Sequence, residues 1–122
     1  MAVRGNYVDG FMLAVPSDKQ AEYLETAELF ARVMKKYGLL DYVECWQDDV
    51  PEGTLNSFHT AVLREEGESI VFSFATWPDK ATRDEAWGNM ESDPELADMT
   101  PENMAWDGKR MIWGGFKPIL NV

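Results

Sequence analysis

The order of the predicted elements is the feature that most limits the fold of this chain. Four segments are rich in β-forming residues: Tyr7–Val15, Leu40–Trp46, Ser69–Trp77 and about Lys109–Phe116. One amphipathic helix lies between Ser17 and Gly38, and a second runs from Asp79 to about Met90. The order strand, helix, strand, strand, helix, strand predicts an α+β, ferredoxin-like split βαβ fold. In this fold both helices cover one face of an antiparallel sheet.

A further segment, Phe58–Leu63, is expected to be extended. The turn signal at Glu66-Gly67 then predicts a hairpin between it and the strand at Ser69–Trp77. The chain has 122 residues and contains no linker, repeat or low-complexity segment. We therefore expect residues 1–122 to form a single domain.

The predicted strands are apolar on both faces, which indicates a homodimer. In the first strand Tyr7, Phe11 and Leu13 share one face, and Val8, Met12 and Ala14 share the other. Two helices can cover only one face of the sheet. The second copy of a short chain is the natural cover for the other face, although aromatic residues there could also line a ligand cleft, and the two arrangements are compatible.

The charge balance excludes several classes of partner. Asp and Glu number 22 against 11 Lys and Arg, so the net charge is -11, which argues against nucleic acid and against anionic membranes. There is no secretory signal and no apolar run of about 20 residues. The single Cys45 cannot form an internal disulfide and fits a reducing compartment, so we expect a cytoplasmic protein.

No metal or cofactor is expected. One His and one Cys cannot build a His/Cys zinc site within one chain. The acidic loop Asp48-Asp49 with Glu52 lacks the alternating ligand spacing of a Ca²⁺ loop.

Asp9 and Glu44 are the main candidate site residues. Each lies in mid-strand between apolar neighbours, and a carboxylate deprived of water needs a partner. We expect Arg110, on the last strand, to pair with one of them inside the sheet or at the dimer interface. Such a pair is either a structural ion pair or the polar floor of a ligand pocket.

Aromatic residues and one imidazole complete the candidate set. Six aromatic residues could stack a planar ligand or simply belong to the core: Trp46, Phe72, Phe74, Trp77, Trp106 and Trp113. His59 is the only imidazole, and is either a general base or an ordinary loop residue. The pair Gly114-Gly115 inside a strand predicts a bulge or the close approach of a backbone or a ligand.

Several motifs, in order along the chain, resemble one family. They are Tyr7-Val8-Asp9-Gly10-Phe11, Tyr42-Val43-Glu44-Cys45, Asp48-Asp49-Val50-Pro51-Glu52-Gly53, Arg83-Asp84-Glu85, and Asp107-Gly108-Lys109-Arg110-Met111-Ile112 with Gly114-Gly115-Phe116. Together they are similar to the YbaA-like family of small bacterial proteins, a domain of unknown function. The resemblance implies the dimeric α+β barrel superfamily, in which two ferredoxin-like protomers pack sheet against sheet. It brings no established activity, and His59 stands where the family pattern has Pro.

Three functions are compatible with the sequence. The first is a homodimeric protein that binds a small molecule of unknown identity. The second is a cofactor-independent monooxygenase or isomerase acting on an aromatic or polyketide-like substrate. The third is a structural or partner-binding module. A closed pocket with a polar floor would favour the first two, and a fully packed sheet face would favour the third.

Overall fold

A four-stranded antiparallel sheet forms one layer of the structure, a computed structural model that describes residues 3–122. The strands are β1 (Tyr7–Pro16), β2 (Asp41–Trp46), β3 (Glu68–Trp77) and β4 (Ile112–Phe116). Their order across the sheet is β2-β3-β1-β4, and every neighbouring pair is antiparallel. The predicted α+β class and the antiparallel sheet are confirmed.

The second layer consists of α1 (Gln20–Lys35) and α3 (Lys80–Met90), with α2 (Phe58–Ala61) on the opposite side of the sheet. Phe30 and Met34 of α1 and Ala86 of α3 share one core cluster with Phe11 and Trp77 of the sheet. Short 3-10 turns lie between these elements, at Ser17–Lys19, Pro94–Leu96 and Gly108–Arg110. None of the helices in residues 3–122 combines the length and apolar character needed to cross a bilayer.

The segment predicted as an extended hairpin arm is helical, so that prediction is wrong. The Ser57 hydroxyl accepts from the Thr60 backbone amide, and the Thr60 hydroxyl accepts from the Ser57 amide, both at 3.1 Å. This reciprocal capping begins α2. In addition, β3 already pairs with β1 and β2 on its two sides, which leaves no edge for another strand. Val62, after α2, packs instead on Ala14 and Ile70.

The remaining surface on the α2 side of the sheet is uncovered within the protomer. We call this surface the open face; it consists of Val8, Gly10, Met12, Val43, Phe72, Phe74, Ile112, Gly114 and Phe116. Phe72 is 46% exposed and Phe116 is 63% exposed, although both are strand residues with large apolar side chains. The sheet is therefore apolar on both faces, as predicted; α1 and α3 cover one face, whereas the short α2 covers only part of the other.

One glycine of the pair in β4 allows a side chain to approach the strand closely. An ideal Cβ on Gly115 would lie 2.7 Å from Cε2 of Tyr7 and would overlap the Tyr7 hydroxyl. The approaching group is thus a side chain of the same chain, and not the backbone or ligand that was expected. A Cβ on Gly114 would make only an ordinary contact, 3.6 Å from Cε1 of Phe116.

Candidate functional site

A cavity of about 160 Å³ lies between the sheet and the layer formed by α1 and α3. Most of its wall is apolar. Six aromatic residues line it, namely Phe11, Tyr23, Phe30, Tyr42, Trp87 and Trp106, together with four methionines, Met90, Met99, Met104 and Met111. Methionine and aromatic side chains form adaptable, polarisable surfaces that suit an organic ligand.

Glu44 is the charged residue of this cavity. It lies on β2 directly opposite Ser73 of β3, and it shares the helix-covered face with Tyr42, two residues away. Tyr23 of α1 donates its hydroxyl to one carboxylate oxygen at 2.7 Å, and Tyr42 donates to the other oxygen. Each oxygen of Glu44 therefore accepts a hydrogen bond from a neutral donor.

Burial dominates the electrostatics of this group. Loss of water raises the pKa of Glu44 above its ordinary value, although the hydroxyl donors act in the opposite direction. Burial and the neighbouring carboxylate also raise the pKa of Tyr23 and of Tyr42, so both remain protonated donors. No Lys, Arg or His is among the described residues that line the cavity. A partly buried carboxyl with a raised pKa in an apolar cavity is a candidate functional group.

Asp9 is completely buried and belongs to a second polar cluster. The Arg83 guanidinium donates to Asp9 through Nη2 at 2.8 Å and through Nε at 3.1 Å. The indole nitrogens of Trp77 and Trp87 donate to Oδ2 at 3.0 and 3.1 Å. The hydrogen-bonding capacity of Asp9 is used within the protein, so the cluster fixes α3 on the sheet. It also holds Trp87 in position as part of the cavity wall.

The expected pairing of Asp9 or Glu44 with Arg110 is wrong within the protomer. Arg110 lies in the 3-10 turn before β4, and its two terminal nitrogens donate to the two Glu68 oxygens at 2.7 Å. It also donates to the carbonyl of Leu63 at 2.9 Å. Arg110 is therefore not part of the last strand, where the sequence predicted it to lie, and it joins the turn before β4 to the first residue of β3 and to the loop before that strand.

Most of the aromatic residues predicted to stack a ligand lie outside the cavity, and Trp106 is the one that lines it. Trp77 is fully buried and bonded to Asp9, and Trp46 packs against the core cluster around Leu13. Trp113 lies on the edge strand against Trp87, with ring centroids 5.7 Å apart. Phe72 and Phe74 belong to the open face. Of the sequence-predicted binding residues, only Glu44 and Trp106 line the cavity.

His59 lies in α2, on the opposite side of the sheet from the cavity. Its Nδ1 is buried without a hydrogen-bond partner among the described residues, and the same holds for the indole nitrogen of Trp106. The ring of Trp106 belongs to the cavity wall, whereas its indole nitrogen is buried within the protein. Within residues 3–122 no group of three or more His, Cys, Asp or Glu could hold a metal ion.

Sequence reasoning missed the two tyrosine donors and Arg83 as site components. A signal for Tyr42 was present, because residues i and i+2 of a strand share a face and Tyr42 precedes Glu44 by two. Tyr23 begins the buried stripe of α1. The methionines of the cavity all fall within residues 90–111, which is a local enrichment visible in the sequence.

Comparison with known proteins gives a consistent result. The family described as "Protein of unknown function (DUF1428)" matches residues 6–108. The chain is 48% identical over 115 residues to "Uncharacterized protein YbaA" of Escherichia coli (strain K12), which covers 94% of this chain and 97% of that protein. The proteins of that name in Escherichia coli O157:H7 and Shigella flexneri match with the same identity and coverage. The similarity to YbaA-like proteins that the motifs indicated is thereby confirmed.

Proposed function

We propose, for a chain that belongs to the DUF1428 family of proteins of unknown function, that it is a homodimeric small-molecule-binding protein. The observation that carries this proposal is the cavity itself, whose walls are apolar except for a few polar groups, chief among them the partly buried carboxyl of Glu44. Largely preformed apolar cavities with a few converging polar groups are the usual form of ligand sites. A purely structural module would be expected to fill this space with side chains.

A panel of ring-sized probes tests ligand binding. We expect at least one of toluene, benzyl alcohol, benzylamine and benzoate to bind in saturation-transfer NMR. We expect Ala27→Leu to abolish that binding, because Ala27 of α1 lines the cavity and a larger side chain fills it. Ala21→Leu is the matched control, since Ala21 is exposed on the same helix. If a folded protein binds none of the probes, the proposal fails.

The open face supports the homodimer. It is apolar, and nothing in the described part of the protomer covers its centre. Exposed apolar surfaces of this kind mark interaction sites. Packing this face against its symmetry copy would bury on the order of 1,500 Å² in total, which is the size of a stable interface. With the sheet order β2-β3-β1-β4, this arrangement corresponds to a ferredoxin-like protomer in a dimeric α+β barrel.

Sedimentation velocity at micromolar concentration tests the dimer. We expect Phe116→Glu to give monomers, since a charge on the open face would lose its water in the interface. Ile119→Glu is the matched control because Ile119 is 99% exposed and is not part of the open face. A wild-type protein that sediments only as a monomer would contradict the proposal.

Proton-transfer catalysis is the second candidate function, and the raised pKa of Glu44 favours it. A carboxylate in an apolar cavity is a suitable base for removing a proton next to a carbonyl group, as a cofactor-independent isomerase or oxygenase requires. The test is deuterium exchange at the methyl group of acetophenone in D₂O, followed by NMR. We expect exchange with the wild-type protein and none above background with Glu44→Gln. Equal exchange rates for both proteins would exclude this role of Glu44.

A further inference from the structure

We infer that the ligand of the cavity is a small hydrophobic cation, an amine on about one aromatic or alicyclic ring, whose ammonium group pairs with Glu44. This inference rests on the proposed small-molecule binding and identifies the chemical class of the ligand.

The first argument compares Glu44, which is partly buried, with the carboxylates that are buried in the described structure. Each of these three has a cationic partner within 3.0 Å: Asp9 with Arg83, Glu68 with Arg110, and Asp93 with Lys36. Glu44 is the carboxylate of the cavity, and its hydrogen bonds come from two neutral hydroxyls. The described residues of the cavity wall supply no cation. A ligand ammonium would give Glu44 the partner that the other three carboxylates already have.

The second argument concerns the walls. Aromatic rings attract cations through their negative faces, and the effect strengthens when the cation is desolvated. Tyr23 and Trp106 meet edge to face with centroids 5.1 Å apart, and Phe30 and Tyr42 lie 5.4 Å apart, so aromatic rings surround the carboxyl group. An anionic ligand would face Glu44 with no compensating charge. The net charge of -11 further favours the approach of cations.

The third argument is size. The volume of about 160 Å³ is close to that of an engineered apolar cavity, about 150 Å³, that binds benzene. The cavity therefore accommodates one ring with a short substituent. Larger amines would require the walls to move.

The test compares three probes of nearly the same shape that differ in charge: benzylamine, benzyl alcohol and benzoate. We expect isothermal titration calorimetry at pH 8 to show benzylamine binding about tenfold more tightly than benzyl alcohol. Benzoate should bind more weakly than either. This comparison uses only the wild-type protein, so it does not depend on the folding of a variant.

Glu44→Gln then assigns the preference to one side chain. We expect the variant to bind benzylamine and benzyl alcohol with equal affinity, because the amide has nearly the same shape without the charge. Glu95→Gln is the matched control, since Glu95 is an exposed carboxylate on the surface.

In the wild-type protein, the affinity for benzylamine should rise as the pH rises through the pKa of Glu44, and then level off. In Glu44→Gln it should be constant over the same range.

The outcomes separate this inference from the proposed function. If none of the three probes binds, and toluene also fails, the cavity is not a ligand site and both proposals fall. If benzyl alcohol or benzoate binds as tightly as benzylamine, the cavity remains a ligand site and the cationic class is wrong. A preference for benzylamine that survives in Glu44→Gln also overturns the inference.

Discussion

At the scale of single residues, two carboxylates of the sheet have different kinds of partner. Asp9 is fully buried and accepts hydrogen bonds from one guanidinium and two indoles, whereas Glu44 is partly buried, accepts from neutral hydroxyls and lines a cavity. The partners of Asp9 use its hydrogen-bonding capacity and balance its charge, so a ligand has no role there. Glu44 has no cationic partner in the described part of the chain, so a ligand could neutralise its charge. The difference in partners therefore separates a group that supports the fold from one that serves binding.

Replacing Arg83 tests the supporting role of the Asp9 cluster. Arg83→Met removes the only cation bonded to Asp9 in the described structure and leaves that carboxylate charged and buried. We expect a loss of about 3–5 kcal/mol in the free energy of unfolding, measured by urea denaturation. Arg32→Met is the control, because the Arg32–Glu95 pair is exposed, and it should lose far less. Similar losses for the two variants would show that Asp9 does not depend on Arg83.

The raised pKa of Glu44 predicts how the free energy of unfolding depends on pH. Because its folded pKa is raised, its contribution to stability is fully present below the ordinary value of 4.5 and is lost as the pH rises through the folded pKa. The free energy of unfolding of the wild-type protein minus that of Glu44→Gln should therefore fall as the pH increases from about 4 to 8. Urea denaturation of both proteins across this range measures the difference. A difference that increases with pH would mean that the folded pKa is lowered.

At the scale of elements, β4 shows how one strand depends on a residue without a side chain. Gly115 lies opposite Asp9, and Tyr7 occupies the space above it. The ring of Tyr7 in turn lies 5.3 Å from the Arg83 guanidinium. A side chain at position 115 would therefore displace Tyr7 and disturb the neighbouring ion pair.

Gly115→Ala is the corresponding test. We expect a loss of roughly 1–3 kcal/mol, the usual cost of overpacking a core site, in the free energy of unfolding. Gly114→Ala, one residue earlier in the same strand, should be nearly neutral because its Cβ would make an ordinary contact. Both variants need the same denaturation assay, with the association state monitored. A neutral Gly115→Ala would show that Tyr7 moves aside at little cost.

Periodicity in the sequence was sufficient to predict the four strands and the two long helices, but it could not predict which charged residues pair. The alternation in β1 and β3 and the apolar stripe of α1 are local patterns, and each element formed where its pattern predicted. Asp9 and Arg83 are 74 residues apart, and the orientation of α3 on the sheet decides that they meet. The segment at Phe58–Leu63 was ambiguous because a short apolar run is compatible with either structure, and the capping by Ser57 and Thr60 determined the outcome.

At the scale of the whole molecule, the acidic surface and the apolar open face act against each other in the proposed dimer. Each protomer has a net charge of -11, so two protomers repel one another. The free energy gained by burying the open face must exceed the free energy of this repulsion. Salt weakens the repulsion without weakening the burial of apolar surface.

We therefore expect the dimer to become tighter as NaCl increases from about 20 mM to about 500 mM, a range over which the Debye length falls well below 10 Å. Sedimentation equilibrium at both salt concentrations measures the dissociation constant. An association that weakens with salt would indicate that ion pairs between protomers hold the dimer together, and that the apolar face is not its main contact.

The alternation of β2 has a consequence for how such a protein can change during evolution. Val43 belongs to the open face and Glu44 to the cavity, and Cys45 lies on the same side of the sheet as Val43. Adjacent codons therefore encode parts of unrelated surfaces. Point mutations can alter one surface and leave the other intact. Deleting one codon within Asp41–Trp46 would exchange both surfaces at once, whereas deletions in residues 48–56, which form no helix or strand, would not. Engineered single-residue deletions are therefore expected to leave the fold intact in that loop and to disrupt it in the strand.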